Sequence, residues 1–174
     1  MKELKFKKLD YKTTDAEGNE VTVKSEGKLP TRATSASAGV DLYCTRITQE
    51  IDNSGKLILV YHTDLSVHLP EGYVGILAMK SGIAKRSLTL VNGFGTIDQD
   101  YLGELVGKFK VTTDAIPTVY QPGEAFAQLL VVPCAILEPT WTEEEIETER
   151  GTMGFGEADE KLNDNEKVHE EIQD

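Results

Sequence analysis

The chain has 174 residues, of which 39% are hydrophobic, and it carries a formal net charge of −12. This length and composition suit one globular domain with a real core, and no apolar run reaches the roughly 18 residues that a membrane span needs. Eight acids and two lysines in residues 157–174 supply −6 of that charge. So acidic a balance opposes sequence-independent binding to nucleic acid, which requires clustered Lys and Arg. The N-terminus MKELKFKKLD has no apolar signal-peptide core, so we expect a cytoplasmic protein.

Short runs rich in β-branched or aromatic residues recur along the chain and predict an all-β domain. A polar hairpin is predicted over residues 11–27, around the turn signal AEGN. The turn signals NSGK, LPEGY, NGFG and YQPGE then separate the later runs. This spacing is typical of a β-sandwich or jelly roll. The predicted strands lie in ELKFKKL, KLILVYHTDLSVHL, YVGILAM, LTLV, ELVGKFKVTT and FAQLLVVPCAIL.

The C-terminal region has a different composition from the predicted barrel. TEEEIETE is the one segment with a case for a helix, with Thr142 as its cap and acids in its first turn. The composition separates an all-β region over 1–141 from a charged segment over 142–156 and an acidic tail over 157–174. The tail has few apolar residues, so we expect it to be disordered.

The two cysteines, Cys44 in VDLYC and Cys134 in VVPCAIL, stand in apolar runs. Neither has a CxxC partner or a neighbouring histidine. We therefore expect two buried free thiols, not a disulfide or a metal site.

The stretch GFGTIDQDYLGE, residues 93–104, stands out because strands disfavour its glycines and aspartates. Asp98 follows an apolar residue near glycine, a setting that holds a carboxylate rigidly and leaves room for a ligand. The alternative is that Asp98 and Asp100 are simply turn residues. This stretch alone does not decide between the two interpretations.

Two further segments have the composition of ligand-binding loops. KSGIAKR, Lys80–Arg86, offers a hydroxyl, a glycine amide and three cations, which suits either a phosphate site or a solvated basic loop. ERGTMGFGE supplies Arg150 and Phe155, which would bind a phosphate and stack on a base if the segment closed over a ligand; a disordered tail is the alternative. In so acidic a protein, a phosphorylated ligand would also need a divalent cation.

Five segments together resemble the ordered motifs of the trimeric dUTP diphosphatases. They are SAGVDL, KSGIAKR, GTIDQDYLGE, PGEAFAQLLVVP and RGTMGFG, and they occur in the family's order between residues 29 and 156. The resemblance implies a distorted jelly-roll β-barrel with a mobile C-terminal arm. It also implies a homotrimer with active sites shared between subunits, which hydrolyses dUTP to dUMP and pyrophosphate with Mg²⁺.

The resemblance assigns the recognition of the nucleoside to the third motif and the residues before it. The main chain of a hairpin over residues 90–97 would hold uracil, with Asn92 and Gly93 at its turn. Tyr101 would lie beneath the deoxyribose and exclude a ribose hydroxyl. Asp98 would orient the water that attacks the α-phosphorus and take its proton. The implied uracil-binding residues are Asn92, Gly95, Thr96 and Ile97.

The resemblance assigns the triphosphate to the remaining motifs. Ser81 and the Gly82 amide would hold phosphate oxygens and stabilise the leaving pyrophosphate. Asp41 would lie near the phosphates and reach Mg²⁺ through water, because Mg²⁺ prefers phosphate and water ligands. The other implied substrate contacts are Lys80 and Gln128 on phosphate, Arg150 on the γ-phosphate and Phe155 over the uracil.

The chain departs from the family pattern on the phosphate side. Lys80 replaces an arginine, which exchanges a bidentate donor for a point charge. Ala125 stands where the fourth motif carries another arginine, and Glu157 and Ala158 follow GFG in place of Ser or Thr. Either a nearby cation compensates or the affinity for substrate is lower; the candidate cations are Lys85, Arg86 and Lys108.

Two other functions remain in view. The losses on the phosphate side would suit a binding or regulatory protein that keeps the uracil pocket and hydrolyses poorly. A related dCTP deaminase is the enzymatic alternative. The Asp98–Tyr101 pairing and the lack of zinc-type His/Cys spacing disfavour that second alternative.

Overall fold

A computed structural model describes residues 3–155. Residues 1–2 and 156–174, and with them the predicted acidic tail, lie outside the described residues. The chain divides between Ile136 and Leu137 into two compact units, which are described separately. No helix among the described residues is long and apolar enough to cross a bilayer.

The first unit is built from strands, as the sequence predicts. The strands are β1 Lys5–Lys8, β2 Tyr11–Thr14, β3 Glu20–Val23, β4 Val40–Tyr43, β5 Arg46–Ile51, β6 Leu57–His62, β7 Leu65–His68, β8 Tyr73–Met79, β9 Leu88–Leu90, β10 Gly95–Ile97, β11 Val106–Val111 and β12 Ala125–Pro133. A single 3-10 turn, Ser81–Lys85, follows β8 within the described part of the chain. The predicted all-β class is confirmed.

Two four-stranded antiparallel sheets form the body of the unit. One has the order β10-β8-β12-β4 and the other the order β5-β6-β11-β9. Consecutive strands such as β8 and β9 therefore belong to different sheets, as in jelly-roll barrels. Two small sheets complete the unit: β1 pairs with β7, and β2 pairs with β3 in a hairpin inside the predicted segment 11–27.

An aromatic cluster fills the core between the sheets. The Tyr61 ring lies 5.3 Å from the rings of both Phe109 and Phe126, edge-on to the first and stacked with the second. A Cβ atom at Gly107 would lie 2.7 Å from the Phe126 ring and 2.8 Å from the Phe109 ring. Glycine at 107 is therefore required by the packing of these rings and not by a turn.

The apolar run from residue 56 to 69 contains two strands. Asp64 separates β6 from β7 and has a positive φ of 53°. Aspartate tolerates this left-handed conformation better than most residues, because its side chain is short and polar. The chain thereby leaves the sheet of β6 and β7 pairs with β1 instead.

Two local predictions are wrong. Residues 142–149 form no helix, and Ile146 is exposed. An eight-residue acidic segment without an apolar face has too little to offset the cost of helix nucleation. Cys134 is exposed just after β12, whereas Cys44 is buried as predicted. Burial raises the pKa of the Cys44 thiol to about 11.

Candidate active site

A pocket of about 360 Å³ lies between the ends of the two sheets. It is open to solvent, and its lining is mostly apolar. Six of the predicted substrate and catalytic residues lie in its wall. The lining residues are Leu77, Leu90, Val91, Asn92, Gly95, Thr96, Ile97, Asp98, Tyr101, Glu104, Val106 and Lys108.

Strand β10 forms one wall of this pocket. It is the edge strand of its sheet and pairs on one side with β8, with Thr96 opposite Ile76. Ile97 packs closely against Gly75 of the neighbouring strand. A Cβ atom at position 75 would lie only 3.0 Å from the Ile97 Cβ, so glycine at 75 leaves the room that Ile97 needs. The other side of an edge strand presents unpaired backbone N–H and C=O groups, which are available to a ligand.

A tight turn at residues 92 and 93 forms the adjoining wall. Gly93 has a φ of 70°, its N–H bonds the Leu90 carbonyl at 3.2 Å, and the Phe94 N–H bonds the Asn92 carbonyl at 2.7 Å. The turn lies where the sequence predicts it. The predicted hairpin does not form, however, because β9 pairs with β11 and β10 pairs with β8. The turn instead carries the chain from one sheet to the other.

The loop after β10 carries Asp98 and Tyr101. The Tyr101 N–H donates to the Asp98 carbonyl at 3.1 Å, and the Tyr101 hydroxyl donates to the Glu104 carbonyl at 3.0 Å. A Cβ at Gly103 would lie 2.5 Å from that hydroxyl oxygen. The ring therefore folds back over Gly103, and the exposed Asp98 carboxylate stands on the same pocket wall.

A second group of predicted residues lies on the neighbouring strands of the β8 sheet. Lys80 Nζ donates to Asp41 Oδ2 at 2.6 Å, with both side chains less than a third exposed. Gln128 stands opposite Asp41 in the register of β12 and β4, and it donates to the Met79 carbonyl at 3.1 Å. A Cβ at Gly39 would lie 2.9 Å from Gln128 Oε1, which accounts for the glycine of SAGVDL.

Ser81 and Gly82 open the exposed 3-10 turn that follows Lys80. A Cβ at Gly82 would meet no described atom within 4 Å, and Gly82 is not among the glycines with positive φ. Neither packing nor backbone conformation therefore requires glycine at 82. Together with Lys80 and Gln128, these residues are absent from the described lining of the pocket.

Two of the three candidate compensating cations already have partners. Arg86 donates to Glu124 at 2.8 Å and lies over the Tyr120 ring. Lys108 donates to both carboxylate oxygens of Glu50, at 2.7 and 2.9 Å. Lys85 forms no ion pair with any residue from 3 to 155. Of the three, Lys85 is therefore the cation that the described structure leaves available for a phosphate.

One residue that sequence reasoning missed is Glu104, the last residue of the third motif. Its carboxylate accepts hydrogen bonds from the Asp64 amide at 2.8 Å, from Arg46 Nη2 at 3.2 Å and from His62 Nδ1 at 3.0 Å. Burial alone would raise the pKa of this carboxyl. The bonds from His62 and the Asp64 amide, helped by the charge of Arg46, outweigh burial and hold the pKa of Glu104 below its ordinary value.

The second unit contains the two predicted contacts of the arm. Arg150 Nε donates to the Met153 carbonyl at 2.9 Å. Phe155 is fully exposed and has a positive φ of 47°. The roles of Arg150 and Phe155 stay predictions.

The described residues contain no group of three or more His, Cys, Asp or Glu side chains that could hold a metal ion. Asp41, the predicted indirect ligand, is paired with Lys80. Mg²⁺ usually binds through one or two carboxylates, waters and the phosphates of a substrate. The donors present suit a Mg²⁺ ion held mainly by a triphosphate, and they do not form a chelating site of their own.

Comparisons with known proteins agree with one another. The sequence profile of the dUTPase family matches residues 25–158. The chain is 32% identical over 135 residues to the deoxyuridine 5'-triphosphate nucleotidohydrolase of Hydrogenobaculum sp., covering 77% of this chain and 92% of that protein. It is 37% identical over 138 residues to the enzyme of the same name from Cutibacterium acnes, covering 78% and 88%.

A solved structure shows the same fold. A variant dUTPase of Staphylococcus bacteriophage 80alpha, solved with dUpNHpp, superposes with a TM-score of 0.70 at 25% identity. The match covers 91% of this chain and 99% of that chain. The chain belongs to the dUTPase family.

Proposed function

We propose that the protein hydrolyses dUTP to dUMP and pyrophosphate. The relatives named above are deoxyuridine triphosphate nucleotidohydrolases, which supports this activity. The observation that carries the proposal is the pocket that Asp98 and Tyr101 share with the free edge of β10 and the turn at Asn92. Together these offer a water-activating carboxylate, an aromatic ring and a backbone edge.

The edge of β10 suits a pyrimidine base. A uracil ring presents alternating carbonyl and N–H groups, so it can bond to unpaired strand backbone much as another strand would. Gly95 supports this role, because it has no positive φ and a Cβ there would come no closer than 3.4 Å to any described atom. The fold does not require a glycine at 95, whereas close approach of a base would. Asn92, Thr96 and Ile97 complete this base site.

The reaction that we propose is in-line attack of water on the α-phosphorus. Asp98 orients the water and accepts its proton, and pyrophosphate leaves with its charge stabilised by donors on the phosphate side. Tyr101 lies against the sugar and occupies the space that a ribose hydroxyl would need. The exposed position of Asp98 suits contact with solvent water, and the Tyr101 ring is held in place at Gly103.

The phosphate residues support a site shared between subunits of a homotrimer. Lys80, Ser81, Gly82 and Gln128 carry the donors, yet none of them is among the described residues that line the base pocket. Phe94 and Leu102 are more than half exposed on the loops beside it. Exposed apolar side chains at the rim of a pocket suit coverage by another copy of the chain.

Mg²⁺ would supply charge neutralisation on the triphosphate, which the protein's own excess of acid makes necessary. Asp41 would face that ion through water, with Lys80 fixing the carboxylate at 2.6 Å. Arg150 and Phe155 of the arm would bind the γ-phosphate and cover the base.

Product analysis after incubation with dUTP, dCTP or UTP at fixed Mg²⁺ tests the proposal. We expect dUMP and pyrophosphate from dUTP and far slower turnover of UTP. Conversion of dCTP to a deaminated nucleotide would indicate the deaminase alternative. Tight binding of dUTP without turnover would instead indicate a regulatory protein on the same fold, and either result would overturn the proposed activity.

A further inference from the structure

The loop between β10 and β11 has few bonds of its own. Residues 98–102 are exposed, and the loop lies outside both sheets. At its start, Ile97 is fixed in β10. At its end, the Leu105 N–H bonds the Leu65 carbonyl at 2.8 Å and the Leu105 carbonyl accepts from Thr63 Oγ1 at 2.8 Å. The geometry of the loop therefore depends on how its C-terminal end is held.

Glu104 connects the substrate side of that loop to the barrel. Its backbone carbonyl accepts the Tyr101 hydroxyl, and its side chain accepts hydrogen bonds from the Asp64 amide, Arg46 and His62. A displacement of Glu104 would therefore move the acceptor that orients the Tyr101 ring. Among the described residues, Glu104 is the one whose hydrogen bonds join Tyr101 to the partly buried charged cluster of Arg46, His62 and Asp64.

The donors to Glu104 are themselves fixed. His62 also contacts Thr48 Oγ1 at 2.9 Å through Nε2. The Arg46 guanidinium lies 4.1 Å above the Tyr11 ring, and Arg46 Nε lies 3.3 Å from Asp64 Oδ1. That last pair is close enough for an ion pair, but neither atom makes a hydrogen bond. Glu104 therefore supplies the hydrogen-bonded anionic partner in this cluster.

We propose that Glu104 is a positioning residue, which sets the Tyr101 ring against the sugar through its tether to Arg46, His62 and the Asp64 amide. The proposal rests on the proposed function, because it assumes that Tyr101 faces a deoxyribose. Although Glu104 lies in the pocket wall, its carboxylate is engaged by the Asp64 amide, Arg46 and His62, so it does not act on the substrate. It fixes the end of the loop, and sugar selection depends on that placement.

A merely structural role for Glu104 makes a different prediction. Loss of an ion cluster that only stabilises the fold would lower the melting temperature and the amount of active protein. It would leave the ratio of kcat/KM for dUTP to that for UTP unchanged, because both substrates would be affected alike. A positioning role lowers the ratio itself.

The test compares Glu104→Ala, Glu104→Gln and the control Asp52→Asn in the full chain. Asp52 is a matched carboxylate, because it accepts bonds from Ser54 and the Lys56 amide and pairs with Lys110, yet it does not line the pocket. We expect Glu104→Ala to lower the dUTP/UTP ratio about tenfold, since ångström-scale misplacement costs on that order or more. Glu104→Gln should lie between Ala and wild type, and Asp52→Asn should keep the wild-type ratio.

Binding of non-hydrolysable dUTP and UTP analogues gives a readout that does not need turnover. We expect the ratio of the Kd for the UTP analogue to the Kd for the dUTP analogue to fall in Glu104→Ala. In the Tyr101→Ala background, adding Glu104→Ala should not lower this ratio further. An unchanged ratio in Glu104→Ala would overturn the proposal, as would an unchanged ratio in Glu104→Gln if the alanine variant does not fold. A wild-type protein that binds neither analogue would contradict both the proposed function and this inference. Binding without hydrolysis would contradict only the former.

Discussion

The ring of Tyr101 occupies the space that a side chain at Gly103 would fill. A Cβ at 103 would lie 2.5 Å from the hydroxyl oxygen and 2.6 Å from the ring carbon that bears it. Such a distance is not tolerated in folded proteins, so either the ring or the backbone must move when 103 is not glycine. The third motif therefore specifies the position of the tyrosine as well as its identity.

The first prediction concerns this contact. Gly103→Ala should displace the Tyr101 ring and lower the ratio of kcat/KM for dUTP to that for UTP about tenfold. The measurement is steady-state kinetics with both nucleotides, accompanied by a melting curve to confirm folding. A folded Gly103→Ala variant that discriminates as well as wild type would show that the sugar is selected elsewhere.

A second prediction concerns the proton acceptor. Asp98→Asn keeps the shape of the side chain but removes its basicity, so kcat for dUTP should fall by about 10²–10⁴. Binding of a non-hydrolysable dUTP analogue should survive, because the base and sugar contacts lie on other residues of the pocket. Wild-type kcat in this variant would exclude Asp98 as the base.

The arm gives a third prediction. Truncation after Glu149 removes Arg150 and Phe155 and should leave a folded protein that has lost most of its kcat/KM for dUTP. Truncation after Ala158 should keep activity near wild type, and at low salt should raise it, because less negative charge then opposes an anionic substrate. Full activity without the arm would contradict the roles of both residues. A large loss on removing only residues 159–174 would assign the acidic tail a function of its own.

A fourth prediction concerns acid stability. The pKa of Glu104 is lowered from its ordinary value of 4.5 in the folded protein. Its ionised form therefore contributes stability that is fully present above pH 4.5 and is lost as the pH falls through the lower, folded-state pKa. Glu104→Gln should be less stable than wild type at neutral pH, and the difference in free energy of unfolding should shrink below pH 4.5. Denaturant titrations at several pH values measure this; a difference that does not depend on pH would mean that Glu104 is not ionised in the folded cluster.

The core gives a fifth prediction. Gly107→Ala would place a Cβ within 2.8 Å of both the Phe109 and the Phe126 ring, and these rings are fully buried. Overpacking of this kind typically costs about 1–3 kcal/mol. Denaturant unfolding should show that loss, while the dUTP/UTP ratio stays at the wild-type value. A neutral effect on stability would mean that the aromatic cluster can shift without cost.

The sequence predicts best the elements that bury continuous apolar runs. YVGILAM corresponds to β8, Tyr73–Met79, because each of its residues packs against a neighbouring strand or the core. The sequence does not predict the short strands β4 and β10, because they contain Asp41 and Gly95, which are poor strand formers. These two strands form because they pair with strands that are distant in the chain. The helix at 142–149 failed for the opposite reason: local signals were present, but no apolar surface supported them.

The candidate site also contains residues that the sequence predicts and residues that it does not. The local setting of Asp98 singles it out, and the family resemblance adds Tyr101 from the same short motif; both residues lie in the wall of one pocket. Glu104 stands in the same motif, but its partners His62 and Arg46 are 42 and 58 residues away in the chain. Spacing in a single sequence carries no information about contacts of that range. The contacts of Glu104 with His62 and Arg46 can be recognised only in the folded structure.

The chain crosses from one sheet to the other between β9 and β10, and this crossing is a place where the two sheets can separate locally. Strands β9 and β10 are edge strands of different sheets, and the turn between them is the wall of the base pocket. A nucleotide bound there would bond to the edge of one sheet and pack against residues of the other. It would therefore hold the two sheet edges together. Without nucleotide, amide hydrogens of residues 88–97 should exchange by local separation of the two edges at a free energy below that of global unfolding. With nucleotide bound, the protection of backbone amides from hydrogen exchange should rise in both sheet edges together, including in strands that the ligand does not touch.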